Sequence, residues 1–94
     1  MYLHLGQEIV VRMRDIVGIF DLDTTTISKH TRKYLSQAEK NGMVVNVSAE
    51  LPKSFIVCKD EKKTVIYISQ ISSATLLKRT FFIDGLSKGG LFYE

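Results

Sequence analysis

Asp15-Ile16-Val17-Gly18-Ile19-Phe20-Asp21 sets five uncharged residues between two carboxylates. A run this short, rich in β-branched and aromatic side chains, is strand-length, and apolar residues at successive positions predict a strand buried on both faces. Gly18 contributes no side chain and weakens a regular strand. It therefore marks a bulge, or a point where a helix or neighbouring strand comes close. Asp15 and Asp21 fall at the wet ends.

Upstream, Tyr2-Leu3-His4-Leu5 alternates and stops at Gly6-Gln7-Glu8, which predicts a first strand and a turn. Ile9-Val10-Val11 restarts the β signal and runs through Arg12-Met13-Arg14 into the central stretch, either as one long strand or as two with a kink near Asp15. Arg12 and Arg14 then share a face by strand alternation. Downstream, Asp21-Leu22-Asp23 and three threonines predict a helix start, with Asp23 or a neighbouring threonine as cap. Ile27, Thr31, Tyr34, Leu35 and Ala38 make one face of a helix over 26–41, with Lys29, Arg32, Lys33 and Lys40 opposite and Asn41-Gly42 as its stop.

Met43 to Val47 predicts a strand. Pro52, the single proline, belongs before a strand because it has no N–H to donate. Ser54–Cys58 and Thr64–Ser69 flank a charged Lys59-Asp60-Glu61-Lys62-Lys63 tip, an antiparallel hairpin. Ser72-Ser73 offers a second helix cap, and Ala74, Leu76, Leu77, Thr80 and Phe81 continue at helical spacing with Lys78 and Arg79 outward. The fold class is α+β: a small, mainly antiparallel sheet of about five strands, one long helix between the early and late strands, and a second C-terminal helix. Residues 1–85 form a single domain, and 86–94 a glycine-rich, aromatic-ended tail.

Ninety-four residues, 45% hydrophobic and 24% charged, suit one globular core. No apolar run reaches membrane-spanning length and the first residues lack a signal-peptide order, so a cytoplasmic protein without membrane association is expected. The lone Cys58 cannot form an internal disulfide, which fits a reducing compartment. Two histidines, His4 and His30, and one thiol give no zinc spacing, so no metal and no cofactor are expected. His4 reads as packed in its strand, His30 as solvated, and Cys58 as a small buried thiol. Lys88-Gly89-Gly90 lacks phosphate-loop context, and Asp21 and Asp23 read as caps rather than an acid–base pair. No catalytic residue is assigned and an enzyme is not expected.

The formal charge of +3 is a mild basic bias. Arg12, Arg14, Lys53, Lys78, Arg79 and the Lys29/Arg32/Lys33 group could each meet phosphate, because such contacts need charge rather than a pocket. Clustering is what would separate that role from solubility. A tight DNA binder neutralises roughly six to ten phosphates, which one small subunit reaches only when several copies stand side by side.

Five motifs, His4-Leu5-Gly6, Asp15 through Asp21, Pro52-Lys53-Ser54, Tyr67-Ile68-Ser69 and Thr75-Leu76-Leu77-Lys78-Arg79, resemble in order and spacing the bacterial extracellular matrix regulatory proteins, and within them the RemB-like branch. The resemblance covers roughly residues 1–80. It implies a cytoplasmic bacterial transcriptional regulator that binds double-stranded DNA, assembles into a ring or other homo-oligomer and acts on biofilm-matrix operons. Arg14 stands where the RemA-like branch has an arginine before its second apolar strand. Lys53 keeps one charge where that branch has neighbouring arginines. Lys78-Arg79 matches a family motif and serves either phosphate contact or the helix end. DNA-binding residues are thus expected at Arg14 and Lys53, supported by Arg12, Lys78 and Arg79. The alternative is an oligomeric protein-interaction adaptor without direct DNA binding, its partner on the apolar tail or the basic helix.

Overall fold

The computed structural model describes residues 1–22 and 28–87, with the side chains of the last helix described as far as Thr80. β1 (Tyr2–Gly6) and β2 (Ile9–Arg12) form a two-stranded antiparallel hairpin. β3 (Ile16–Asp21), β4 (Val44–Asn46), β5 (Ser54–Lys59) and β6 (Thr64–Ser69) form a second sheet in the order β3-β5-β6-β4. Its pairs are antiparallel except β4 with β6, which is parallel. The helices are α1 (Lys29–Lys40) and α2 (Ser73–Ser87).

The α+β class stands, but one sheet of about five strands is replaced by six strands in two sheets. The cause is a single 3-10 turn, Met13–Asp15, which interrupts the run from Ile9 to Asp21. Met13 drops its side chain into the core while its N–H donates to the Met1 carbonyl at 3.0 Å. The chain therefore leaves the hairpin at Arg12 and re-enters as an edge strand of the other sheet. Of the two readings of this stretch, two strands with a kink is the one adopted.

β3 is an edge strand, so the expectation of burial on both faces fails: Val17 is 60% and Phe20 45% exposed. Its apolar content covers one face and a sheet margin. Gly18 does mark a bulge, where the β3–β5 register shifts between Ile16 and Gly18. What comes close there is neither helix nor strand but the ring of Phe20, whose Cζ lies 2.5 Å from where a Gly18 Cβ would stand.

Two apolar layers flank the larger sheet. On one side Ile56 and Cys58 meet Leu3, Leu5, Val11 and Met13 of the hairpin segment and Leu76 of α2. On the other, Phe55 and Ile66 pack with Ala38 of α1, with Leu35 and Val44 around them. α1 begins at Lys29 with Ser28 as its cap, the Ser28 hydroxyl accepting from the Thr31 N–H at 3.0 Å. This is later than the start expected at 26. The proposed caps at Asp23 and the threonines, together with Ile27, lie outside the described residues. Gly42, at φ +72°, takes the left-handed position that ends the helix. Ser72 caps α2 as expected, accepting from the Thr75 N–H at 3.2 Å. Of the tail expected at 86–94, residues 86 and 87 belong to α2 and the remainder lies outside the described residues.

Candidate nucleic-acid interface

β5 has two ends, and the basic residues divide between them. At one end Ile16 pairs with Cys58 and Lys59 with Thr64, so the residues before β3 must meet those after β5. The 3-10 turn delivers Arg12 and Arg14; the β5–β6 tip delivers Lys59 and Lys62. Together with Asp15, Asp60 and Glu61 they line an open cleft of ≈ 760 Å³. The tip is shaped by Asp60, whose Oδ1 accepts from the Lys62 and Lys63 N–H groups at 2.8 and 2.9 Å. Those two bonds, then the charges of Lys63 and Arg12, hold its carboxyl below the usual range despite some desolvation.

Four cations face three carboxylates in this cleft. Arg12 donates through Nε to Asp15 Oδ2 at 2.9 Å and is occupied. Among the described residues, Arg14, Lys59 and Lys62 make no ion pair, so three cations are available to an anion. Arg12 and Arg14 do come together, but the expected reason was wrong. Strand alternation does not apply across a 3-10 turn; the shared cleft brings them together.

The other expected residues lie elsewhere. Lys53 sits just before β5 at its opposite end, its N–H donating to the Ser69 carbonyl at 2.8 Å. Cys58 is five positions further on, roughly 16 Å at strand rise. Lys78 is exposed on α2. Arg79 donates through Nη1 to the His4 carbonyl at 3.2 Å, which ties α2 to the hairpin. Reading Lys59 to Lys63 as a solvated tip missed Lys59 and Lys62 as members of the cleft. The antiparallel register was the signal, since it sets the approach to β3 beside the exit from β5.

A second groove, ≈ 410 Å³, opens between hairpin and sheet, walled by Tyr2 and Val10 on one side and Val45, Val65 and Tyr67 on the other. Cys58 lies at its base; burial, and secondarily the Asp15 carboxylate, pushes its thiol up to about 12. Desolvation likewise raises the Tyr67 hydroxyl above its ordinary value. His4 is not packed: it is exposed, its Nε2 donating to the Gln7 carbonyl at 2.6 Å. Among the described residues no three His, Cys, Asp or Glu side chains are grouped to hold a metal ion, and no helix is long and apolar enough to cross a membrane.

The class defined so far is a small α+β domain carrying a charged cleft at one end of its larger sheet. The family model described as extracellular matrix regulatory protein A-like, RemA-like, matches residues 2–80. Extracellular matrix regulatory protein B of Bacillus subtilis (strain 168) is 41% identical over 83 residues, which span 88% of this chain and 94% of that protein. The chain belongs to the RemA/RemB-like family of extracellular matrix regulatory proteins.

Proposed function

We propose that this protein is an oligomeric, DNA-binding transcriptional regulator of the extracellular-matrix type, acting in the cytoplasm and holding the duplex backbone with basic residues repeated from copy to copy. The observation that carries this reading is the convergence of Arg14, Lys59 and Lys62, all unpaired among the described residues, at one end of the larger sheet. The three free cations of this cleft fall short of the roughly six to ten phosphates of a tight complex. Self-association into a ring makes up the difference, and the exposed Val17, Phe20 and Leu51 give it apolar surface to use. Sequence preference then comes from DNA shape rather than base edges.

Light scattering after size exclusion, followed by filter binding of duplex DNA across a salt series, tests both halves. An oligomer whose affinity falls steeply with salt, and which loses that affinity in Arg14→Ala with Lys59→Ala and Lys62→Ala, is the expected result. A monomer, or binding indifferent to salt, overturns it.

The groove between hairpin and sheet favours one other reading, an oligomeric adaptor that receives an apolar protein segment against Tyr2, Val10, Val65 and Tyr67. In that case the triple cation variant keeps full regulatory activity, and Val65→Glu abolishes it.

A further inference from the structure

The charge of the chain is not where its sequence motifs point. α1 carries Lys29, Arg32, Lys33 and Lys40 against a single carboxylate, Glu39, a net of +3. The whole chain has thirteen cations and ten carboxylates, also +3, so outside α1 nine of each cancel. The cleft at Arg14, with four cations and three carboxylates, is close to balanced. The basic bias of this protein is a property of one helix.

Geometry makes that bias a line. Lys29, Lys33 and Lys40 stand at offsets 0, 4 and 11, within about 40° of one another at 3.6 residues per turn, and Arg32 flanks them. Ala38, buried at 3%, occupies the opposite side with the half-buried Leu35 and Thr31. All four cations are exposed, and none is ion-paired among the described residues. The stripe is about 16 Å long at 1.5 Å per residue. α1 finishes at Lys40, and Met43, three residues on, accepts through its carbonyl from the Ile66 N–H near the start of β6, which sets the C-terminal end of α1 toward the Lys59/Lys62 end of the sheet.

We infer that the outer face of α1 is a principal phosphate-contacting surface of this protein, laid along one stretch of duplex backbone; this rests on the DNA-binding reading above. About 16 Å along one strand carries roughly five phosphates at 3.4 Å of axis each, enough for each of four cations in a row to meet one. A lysine line without an apolar anchor is a poor core for a protein interface, where lysine is depleted and aromatics are enriched. Nor can α1 enter a lipid surface apolar side first, because Leu35 and Ala38 already cover the sheet.

The test compares full-length protein with Lys29→Gln, Lys33→Gln and Lys40→Gln combined, and with the same three positions changed to arginine, by filter binding of duplex DNA over a salt series. The glutamine variant, with unchanged far-ultraviolet circular dichroism and oligomeric mass, is expected to lose 2 to 3 from the slope of log K against log salt per bound subunit, at about 0.9 per phosphate. The arginine variant retains it. If the glutamine variant binds with the wild-type slope, the inference fails while the DNA reading stands, which is also what a face reserved for an acidic protein would give. If wild-type protein does not bind DNA at any salt concentration, both fail together.

Discussion

The Ser69 hydroxyl donates to the Leu5 carbonyl at 2.6 Å across 64 positions of sequence and joins the hairpin to the larger sheet. The same oxygen accepts from the Ile71 N–H at 2.9 Å, and Ser54, paired opposite Ser69, donates to the Ile71 carbonyl at 2.7 Å. Both serines are fully buried. Ser69→Ala strands a buried carbonyl and an N–H at once, and a loss of about 2 kcal/mol is expected from unmet partners of this kind. Urea unfolding reads it as a lower midpoint at unchanged slope.

Phe20 lies over the bare backbone of Gly18 and stacks on Phe55, ring centroids 4.9 Å apart at 20°. Gly18→Ala puts a methyl group where the Phe20 ring now is and pushes it off the stack, for a loss of about 1 kcal/mol. In a Phe20→Leu background the ring is absent and the same substitution costs less. A double-mutant cycle by thermal melting exposes the coupling, and additive losses would show that ring and glycine act independently.

Local chemistry made most elements legible: the Asn41-Gly42 stop, the serine cap of α2, the proline ahead of β5 and the charged β5–β6 tip each follow from one or two residues. What escaped was decided at longer range. Ile9 to Asp21 reads either as one long strand or as two with a kink near Asp15, and the burial of Met13 against distant core residues decides for the break at a 3-10 turn. A kink alone does not say that the hairpin leaves the larger sheet, so β3 reads as a central strand instead of an edge and the hairpin as part of a single sheet. For the candidate site, Arg12 and Arg14 were visible as charges, whereas Lys59 and Lys62 needed the strand register to appear beside them. The α1 cations were each visible, but their dominance follows from cancellation everywhere else.

Cys58 supplies a pH dependence with a defined sign. Its folded-state pKa of about 12 exceeds the ordinary value of 9.0, so between those values the folded chain holds a proton that the unfolded chain has released. Stability is complete below pH 9 and declines as pH rises through that window; Cys58→Ala flattens the decline. At neutral pH the native thiol should alkylate with iodoacetamide on the order of 1,000-fold more slowly than in urea, because the thiolate is the reactive form and its fraction falls tenfold for each of about three pH units. Equal rates in the two conditions would mean that Cys58 is not held protonated by its surroundings.

Asp15 restrains the cleft it borders, since it occupies Arg12 at 2.9 Å and sets a carboxylate beside Arg14. Asp15→Asn keeps the shape, releases Arg12 and moves the balance from four cations against three carboxylates to four against two. The ion pair is partly exposed, 44% and 20% at its two side chains, so its loss costs less than about 1 kcal/mol. Affinity for duplex DNA at low salt should therefore rise, and the slope of log K against log salt steepen by about 1 per bound subunit. An adaptor that never meets DNA would show neither change. A weaker grip in Asp15→Asn, at unchanged melting temperature, would mean that Arg12 works only while Asp15 holds it in place.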